Sequence, residues 1–228
     1  MKYLSIIIPA WGCENYVMDC IKSVVKQSAV PGWLVEFHIG VDACEKTSAV
    51  LKKNKIKHYY SKRNVGHYVM RNSMMALHKA DVYAYFDADD VMMPNYCRRT
   101  IEHIDISGFT MCAKINCDSN LRPRGKAVVQ NGGAMSFKHE IIEAVGGFRN
   151  YRCAADTDFM RRVEMAGYTI TKIPEGLYYR RAHARALTKR ADTGMGSPYR
   201  KRVWAEMTEM RQRGIIKIKP ATVELERR

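Results

Sequence analysis

Apolar and polar positions along this chain alternate between two rhythms. Residues 3–9 are a short apolar run around Ile6-Ile7-Ile8, stopped by Pro9, and predict a buried strand. In residues 15–27, Tyr16, Val17, Cys20, Ile21, Val24 and Val25 fall at helical spacing. Pro31-Gly32 marks a turn, and residues 34–41 alternate into a second strand that ends at Asp42. A short helix over 47–54 and a third strand over 57–60 follow. Next come a helix over 64–78 behind a Gly66 turn, a β-branched and aromatic strand over 82–86, and a helix over 94–104. Strands alternating with helices predict an α/β fold with a mainly parallel central sheet flanked by helices.

The second half is less regular. Residues 109–129 read as short strands around a loop at 118–125. Asn131-Gly132-Gly133-Ala134-Met135-Ser136-Phe137 leads into a helix over 138–145, which Gly146-Gly147 ends with a left-handed cap. A helix over 156–166 stops at Gly167, a strand covers 168–173, and a basic helix begins at Ser197. There is no internal repeat and no low-complexity segment.

The 228 residues suffice for one sizeable core. No apolar run approaches the ~20 residues needed to span a bilayer. The N-terminal run is too short for a signal-peptide core, so a cytoplasmic protein is expected. The cysteines at 13, 20, 44, 97, 112, 117 and 153 are odd in number and contain no Cys-x-x-Cys pair. They read as small buried hydrophobes, not as a disulfide framework or a zinc knuckle. The net charge of +15 points to a polyanionic partner. Residues 179–228 hold 14 Lys and Arg against 5 Asp and Glu, so much of the excess lies in the last quarter.

The strongest chemical signal is Phe86-Asp87-Ala88-Asp89-Asp90, a carboxylate cluster closing the fourth strand. Open α/β sheets bind ligands at that strand edge. Carboxylates packed so closely repel one another unless a cation sits among them, and hard oxygen ligands favour Mg²⁺ or Mn²⁺. An acidic turn with Asp90 capping the next helix is the alternative.

With these pieces in order, the chain resembles the family 2 glycosyltransferases of GT-A fold from about residue 3 to about residue 190. Leu4-Ser5-Ile6-Ile7-Ile8-Pro9-Ala10-Trp11 is similar to the family's opening strand, and Asp42 stands where its second-strand aspartate stands. Asn64-Val65-Gly66 with Arg71-Asn72 resembles its Asn-x-Gly and Arg-Asn segment. Asp87-Ala88-Asp89 resembles its Asp-x-Asp motif. Gly132-Gly133-Ala134 and Val145-Gly146-Gly147-Phe148 resemble its acceptor-side loop and turn. Ala155-Asp156 stands at its catalytic Glu-Asp, with alanine in place of the glutamate that often supports the acceptor.

The resemblance implies sugar transfer from a nucleotide-diphosphate sugar, with uridine the expected base and inversion the expected outcome. It divides the chain into a domain over 1–190, with a nucleotide-sugar half (1–105) and an acceptor half (106–190), and a basic extension over 191–228. Asp89 would ligate the metal, and His183 would complete its shell. Asp87 would contact the ribose or a metal-bound water, and Asp90 either of these. Asp42 would accept from the base, Pro9 and Ala10 would present backbone beside it, and Asn64 and Gly66 would shape the nucleotide slot. Arg71 would reach the base or the phosphates. Arg180, Arg181, Arg185 and Lys189 would clamp the diphosphate. Asp156 would take the acceptor proton, with Asp158 as the other candidate.

The acceptor lies outside the resemblance. Val203, Trp204, Met207 and Met210 form one stripe of the C-terminal helix, which docks on the core, lies on an anionic membrane beside a lipid-linked or lipopolysaccharide glycan, or holds a phosphodiester backbone. In residues 179–228 Arg outnumbers Lys 10 to 4, which favours DNA carrying a hydroxylated, for instance hydroxymethyl, base. The membrane reading would make the protein peripheral. A nucleotidyltransferase would need a glycine-rich phosphate loop that Pro9-Ala10-Trp11-Gly12-Cys13 does not supply. A non-catalytic nucleic-acid-binding module is disfavoured by the carboxylate cluster, which repels phosphate.

Overall fold

The computed structural model describes residues 1–129 and 133–228. Asn131 and Gly132 of the expected acceptor-side loop lie outside the described residues. In chain order the first half holds β1 (Lys2–Ala10), α1 (Val17–Val25), β2 (Trp33–Asp42), α2 (Glu45–Lys53), β3 (Tyr59–Ser61), α3 (His67–Leu77), β4 (Val82–Tyr85), β5 (Val91–Met92) and α4 (Tyr96–Ser107). The second half holds β6 (Phe109–Cys117), β7 (Met135–Lys138), α5 (His139–Val145), α6 (Ala155–Met165), β8 (Thr171–Arg181), α7 (Pro198–Gln212) and β9 (Glu226–Arg227). The strands form one sheet in the order β5-β8-β6-β7-β4-β1-β2-β3-β9.

The sheet is parallel through β4-β1-β2-β3 and again between β6 and β8, and antiparallel at β7, β5 and β9. It is therefore mixed overall, with its parallel part where the alternation of strands and helices is clearest. Successive side chains of a strand face opposite ways. Ile6 and Ile8 of β1 join a core with α1, α2 and α4, while Ile7 joins a core with α3, α5 and α6. The result is a sheet covered on both faces, which is why its central strands are apolar throughout.

Three differences from the sequence expectation have physical causes. Strand β1 continues through Pro9 to Ala10. β4 pairs only with Leu4–Ile7, so beyond Ile7 the missing proline N–H deprives no neighbour on that side. Residues 135–138 form the buried strand β7 before the helix, a run too short to show a period. Strand β8 runs to Arg181, past Pro174, because a bulge opposite Cys112-Ala113-Lys114 absorbs the irregularity. That continuation carries Arg180, Arg181 and His183 to the carboxylate cluster.

Helix α7 starts at Ser197, whose side chain accepts from the Arg200 N–H, with Pro198 in the first turn. It docks by Val203 and Met207, with Tyr199 of its own first turn, on Ala154 and Tyr151. Beyond it the chain runs back across the fold. Ile218 N donates to Val145 O, and Val223 N to Ser73 Oγ. Strand β9 then adds to the edge of β3, with His58 and Arg228 exchanging backbone hydrogen bonds.

Candidate active site

The parallel strands β1, β2 and β4 end on one edge, which sets Ala10, Asp42 and Phe86 side by side and leaves a cleft above them. Residues from 183–204 close over the cleft and make a cavity of about 770 Å³. Its wall includes Pro9, Ala10, Asp42, Asn64, Gly66, Arg71, Asp87, Asp89, Asp90, Asp156, Arg181, His183 and Arg185. Residues that are far apart in sequence thus meet in one place.

Asp87, Asp89 and Asp90 each offer an oxygen, and these atoms lie within 4.8 Å of one another. Burial and the neighbouring carboxylates push Asp90 well above the usual carboxylate range. Asp87 is raised by burial too, although the Arg71 guanidinium opposes the shift. Arg71 is buried, meets Asp87 Oδ1 at 2.5 Å and lies 3.9 Å from the centre of the Tyr85 ring. Arg71 lines the cavity, with Asp87 holding its guanidinium and its buried Nε without a described partner. Crowded, partly desolvated oxygen donors of this kind fit a small hard divalent cation. His183 Nε2 lies 2.7 Å from Asp89 Oδ2, which puts an imidazole at the same place.

Arg181 departs from the expected diphosphate clamp. Its backbone N–H donates to Asp90 Oδ1, and its guanidinium to the carbonyls of Asp89 and Ser119 and to Asp19 Oδ2. With its guanidinium bound on three sides, it fixes the acidic loop and is not free to clamp a diphosphate. Arg180 and Arg185 also line the cavity, and Arg185 pairs with Glu14 at 2.9 Å. Lys189, in the 3-10 turn Leu187–Lys189, is not among the residues that line the cavity.

Asp42 reaches the cavity wall as expected, yet its buried carboxylate already accepts from Val65 N, Gly66 N and Asn64 Nδ2 at 2.7, 2.8 and 3.0 Å. Burial raises its pKa, and the Val65 and Gly66 N–H groups oppose the rise. It therefore fixes the turn into α3. Gly66 caps that turn at φ +86°, a backbone region that disfavours any side chain.

Asp156 sits in the first turn of α6, at the N-terminal end of the helix. Tyr68 Oη and Thr157 N both donate to its Oδ1, and no described group donates to Oδ2. Asp158 is not in the cavity. It is buried and paired with Arg149 at 3.1 Å and Arg162 at 2.8 Å, and Arg162 in turn donates to the carbonyls of Val145 and Gly147. Two positions along a helix turn a side chain by about 200°, which separates the two aspartates. Ala155 points into the core beside Phe148 and Phe159.

The cavity also contains residues that the sequence reading leaves out. Trp11 is half exposed at its rim, with the Arg190 guanidinium 5.3 Å from its ring centre. Lys114, Tyr68, Arg152, Arg161 and Trp204 line it as well. The signal for Lys114 is a lone lysine in the apolar run Met111-Cys112-Ala113-Lys114-Ile115. For Trp11 the signal is its place directly after the first strand.

Residues 5–206 match the family described as Glycosyl transferase family 2. The chain belongs to that family. Among solved structures it is similar to TarS residues 1–349 of S. aureus in complex with UDP, at 17% identity and TM-score 0.66 over 81% of this chain and 61% of that one. The same protein in complex with UDP-GlcNAc gives 17% identity and TM-score 0.65 over 80% and 59%. The mannosyltransferase PcManGT of Pyrobaculum calidifontis, in complex with GDP-Man and Mn²⁺, gives 14% identity and TM-score 0.68 over 83% and 61%. These likenesses show the shared GT-A fold. The chain spans about 60% of the length of these structures. No curated protein sequence matches it significantly. Within this family 2 chain, no described helix is long and apolar enough to cross a membrane.

Proposed function

We propose that this chain transfers a sugar from a nucleotide-diphosphate sugar to an acceptor hydroxyl, with inversion at the anomeric carbon. The observation that carries the reading is one cavity with the Asp87, Asp89 and Asp90 cluster on one wall and Asp156 on another. Asp156 Oδ2 takes the acceptor proton. The acceptor oxygen bonds to the anomeric carbon as the carbon–oxygen bond to the diphosphate breaks, and that bond's electron pair leaves with the diphosphate. Attack from the face opposite the leaving group inverts the centre. Tyr68 holds Asp156 by its Oδ1 and aims the other oxygen. Asp89, Asp87 and His183 would hold a divalent ion, and the imidazole favours Mn²⁺ over Mg²⁺. When bound, such an ion supplies positive charge against the developing diphosphate. Arg180 and Arg185 add to that field.

The nucleotide lies along Pro9, Ala10, Trp11 and the Asn64–Gly66 turn. Trp11 offers a ring to stack on a base, and the last free lone pair of Asp42 can accept from it. Uridine is the proposed base. UDP is the nucleotide bound in the TarS complex.

For the acceptor we propose a polyanion, DNA with a hydroxylated base before a membrane glycan. Helix α7 buries Val203 and Met207 against the fold, so half of the stripe that would lie in a membrane is already used. Trp204 is left half exposed, lining the cavity together with Arg161. An aromatic face beside a guanidinium suits a base and its phosphate.

The test is diphosphate release from a panel of nucleotide sugars with Mn²⁺, with and without hydroxymethylated DNA. Release with one sugar, lost in Asp89→Ala and enhanced by the DNA, is expected. Release indifferent to DNA moves the acceptor to a glycan or lipid. No release from any donor, together with tight DNA binding, overturns the transferase reading.

A further inference from the structure

Lys114 is the one lysine that is both buried and part of the cavity wall among the described residues. It lies in β6 next to Tyr178 of β8 and is 7% exposed. Its ammonium has no carboxylate within ion-pairing distance among the described residues. The nearby acids are engaged elsewhere: Asp87 with Arg71, Asp89 with His183, and Asp90 with the Arg181 N–H. Burial, and then Arg180, hold its pKa below the usual lysine range, while Asp90, Asp156 and Asp87 support the charged form. Lys114 is therefore a buried amine without an ion-pair partner among the described residues, lining the cavity that also holds the acidic cluster and Asp156.

The chemistry of the proposed reaction says what occupies that space. The leaving diphosphate lies at the acidic cluster, and the attacking hydroxyl lies at Asp156. The transferred sugar must lie between them, in the cavity that Lys114 lines. An ammonium there is a poor choice for a neutral hexose. Glycosyl transfer builds positive charge on the anomeric carbon and ring oxygen, and a second positive charge close by in a desolvated site opposes it. An anionic substituent on the sugar removes the conflict and gives the three ammonium donors an acceptor.

We propose that the donor sugar is a uronic acid, whose carboxylate is received by Lys114. This rests on the glycosyltransferase reading above. Lys114 then determines donor specificity and takes no part in proton transfer.

The experiment compares matched donors with full-length protein, Mn²⁺ and no added acceptor: UDP-glucose with UDP-glucuronate, UDP-galactose with UDP-galacturonate, and GDP-mannose with GDP-mannuronate. The readouts are diphosphate release and the donor-induced rise in melting temperature. In at least one pair the uronate is expected to be preferred on the order of 100-fold in kcat/KM, as for a charge-assisted contact. Lys114→Gln should collapse that ratio toward one, mainly through KM. A neutral sugar preferred in every pair overturns the proposal, and the wild-type comparison decides this even if the variant folds poorly. So does a Lys114→Gln variant that lowers both members of a pair equally, which would make Lys114 a counter-charge for Asp90. Turnover of the neutral members alone overturns the uronate proposal and keeps the transferase reading.

Discussion

The His183 imidazole and the Asp89 carboxylate meet at 2.7 Å across 94 residues of sequence. One ends the extension of β8 and the other lies in the loop after β4. Their meeting closes the segment after β8 onto the acidic cluster. The His183 Nδ1 is buried with no described partner, so Nε2 is the nitrogen that faces the carboxylates. If this pair holds a divalent ion, His183→Ala should raise the Mn²⁺ concentration for half-maximal diphosphate release about 10–100-fold. Asp89→Ala should abolish metal-dependent release. A Mn²⁺ titration of each variant checks this, and an unchanged midpoint in His183→Ala would remove the histidine from the metal shell.

Asp156 and Asp158 stand two residues apart and do different work. Asp156→Asn should cost about 10²–10⁴ in turnover while leaving the melting temperature nearly unchanged, since its carboxylate faces the cavity. Asp158→Asn should do the reverse. It leaves the buried Arg162 and the partly buried Arg149 without their counter-charge, which costs about 3–5 kcal/mol. Paired urea titrations and donor-turnover assays separate the two. A stable but inactive Asp158→Asn would overturn the assignment.

Much of this arrangement is legible in the sequence. Asp42 and the Asp87 to Asp90 cluster can be picked out because they follow strands, and strand ends converge in a parallel sheet, whereas Asp156 and His183 are picked out by the family resemblance. What is not legible is which charges are already consumed. Arg71, Arg181 and Asp158 look available as letters, but their partners (Asp87, Asp19 with backbone carbonyls, and Arg162) become visible only once the chain is folded. Lys114 shows only as a lone lysine in an apolar run, and the sequence does not say that it lines the cavity. Strands β7 and β9 are four and two residues long, and so short a run carries no period to read.

His38 and His78 give the fold an acid-sensitive corner. Their rings stack at 3.5 Å between centres, with Tyr3, Glu36 and Tyr59 beside them and Arg227 of β9 close enough to act on His78. Burial first, and then His78, lower His38 from 6.5 to about 4. The folded state thus disfavours the proton. Stability from this site is complete above pH 6.5 and is lost as pH falls from 6.5 toward 4, by at most about 1.4 kcal/mol per pH unit. His38→Gln should flatten the decline of the urea midpoint between pH 6.5 and 4.5 relative to wild type. An equal decline in both proteins would assign the acid sensitivity to other groups.

The final prediction concerns the chain after α7. Asn72 donates to the carbonyls of Phe148 and Ala221 and accepts the Phe148 N–H, which ties α3 to the turn after α5 and to the returning C-terminal segment. That segment crosses so close to Gly146 and Gly147 that a side chain at either would strike Ile218 or Pro220. It covers the core with Ile216 and Leu225, and β9 pairs the otherwise open edge of β3. Arg228 finishes it, stacked 3.5 Å above the Tyr60 ring and paired with Glu45 at 2.9 Å. Removing residues 215–228 should therefore lower the melting temperature and promote self-association through the bared strand edge, because unpaired edges are templates for pairing. Asn72→Ala should destabilise by about 2–4 kcal/mol, since it strands Phe148 backbone groups in the core. Both keep the cavity residues intact, so donor binding at a temperature where the variant remains folded should survive. Calorimetry with light scattering checks the first effect. An unaltered melting temperature after truncation would mean that residues 215–228 add nothing to the stability of the fold.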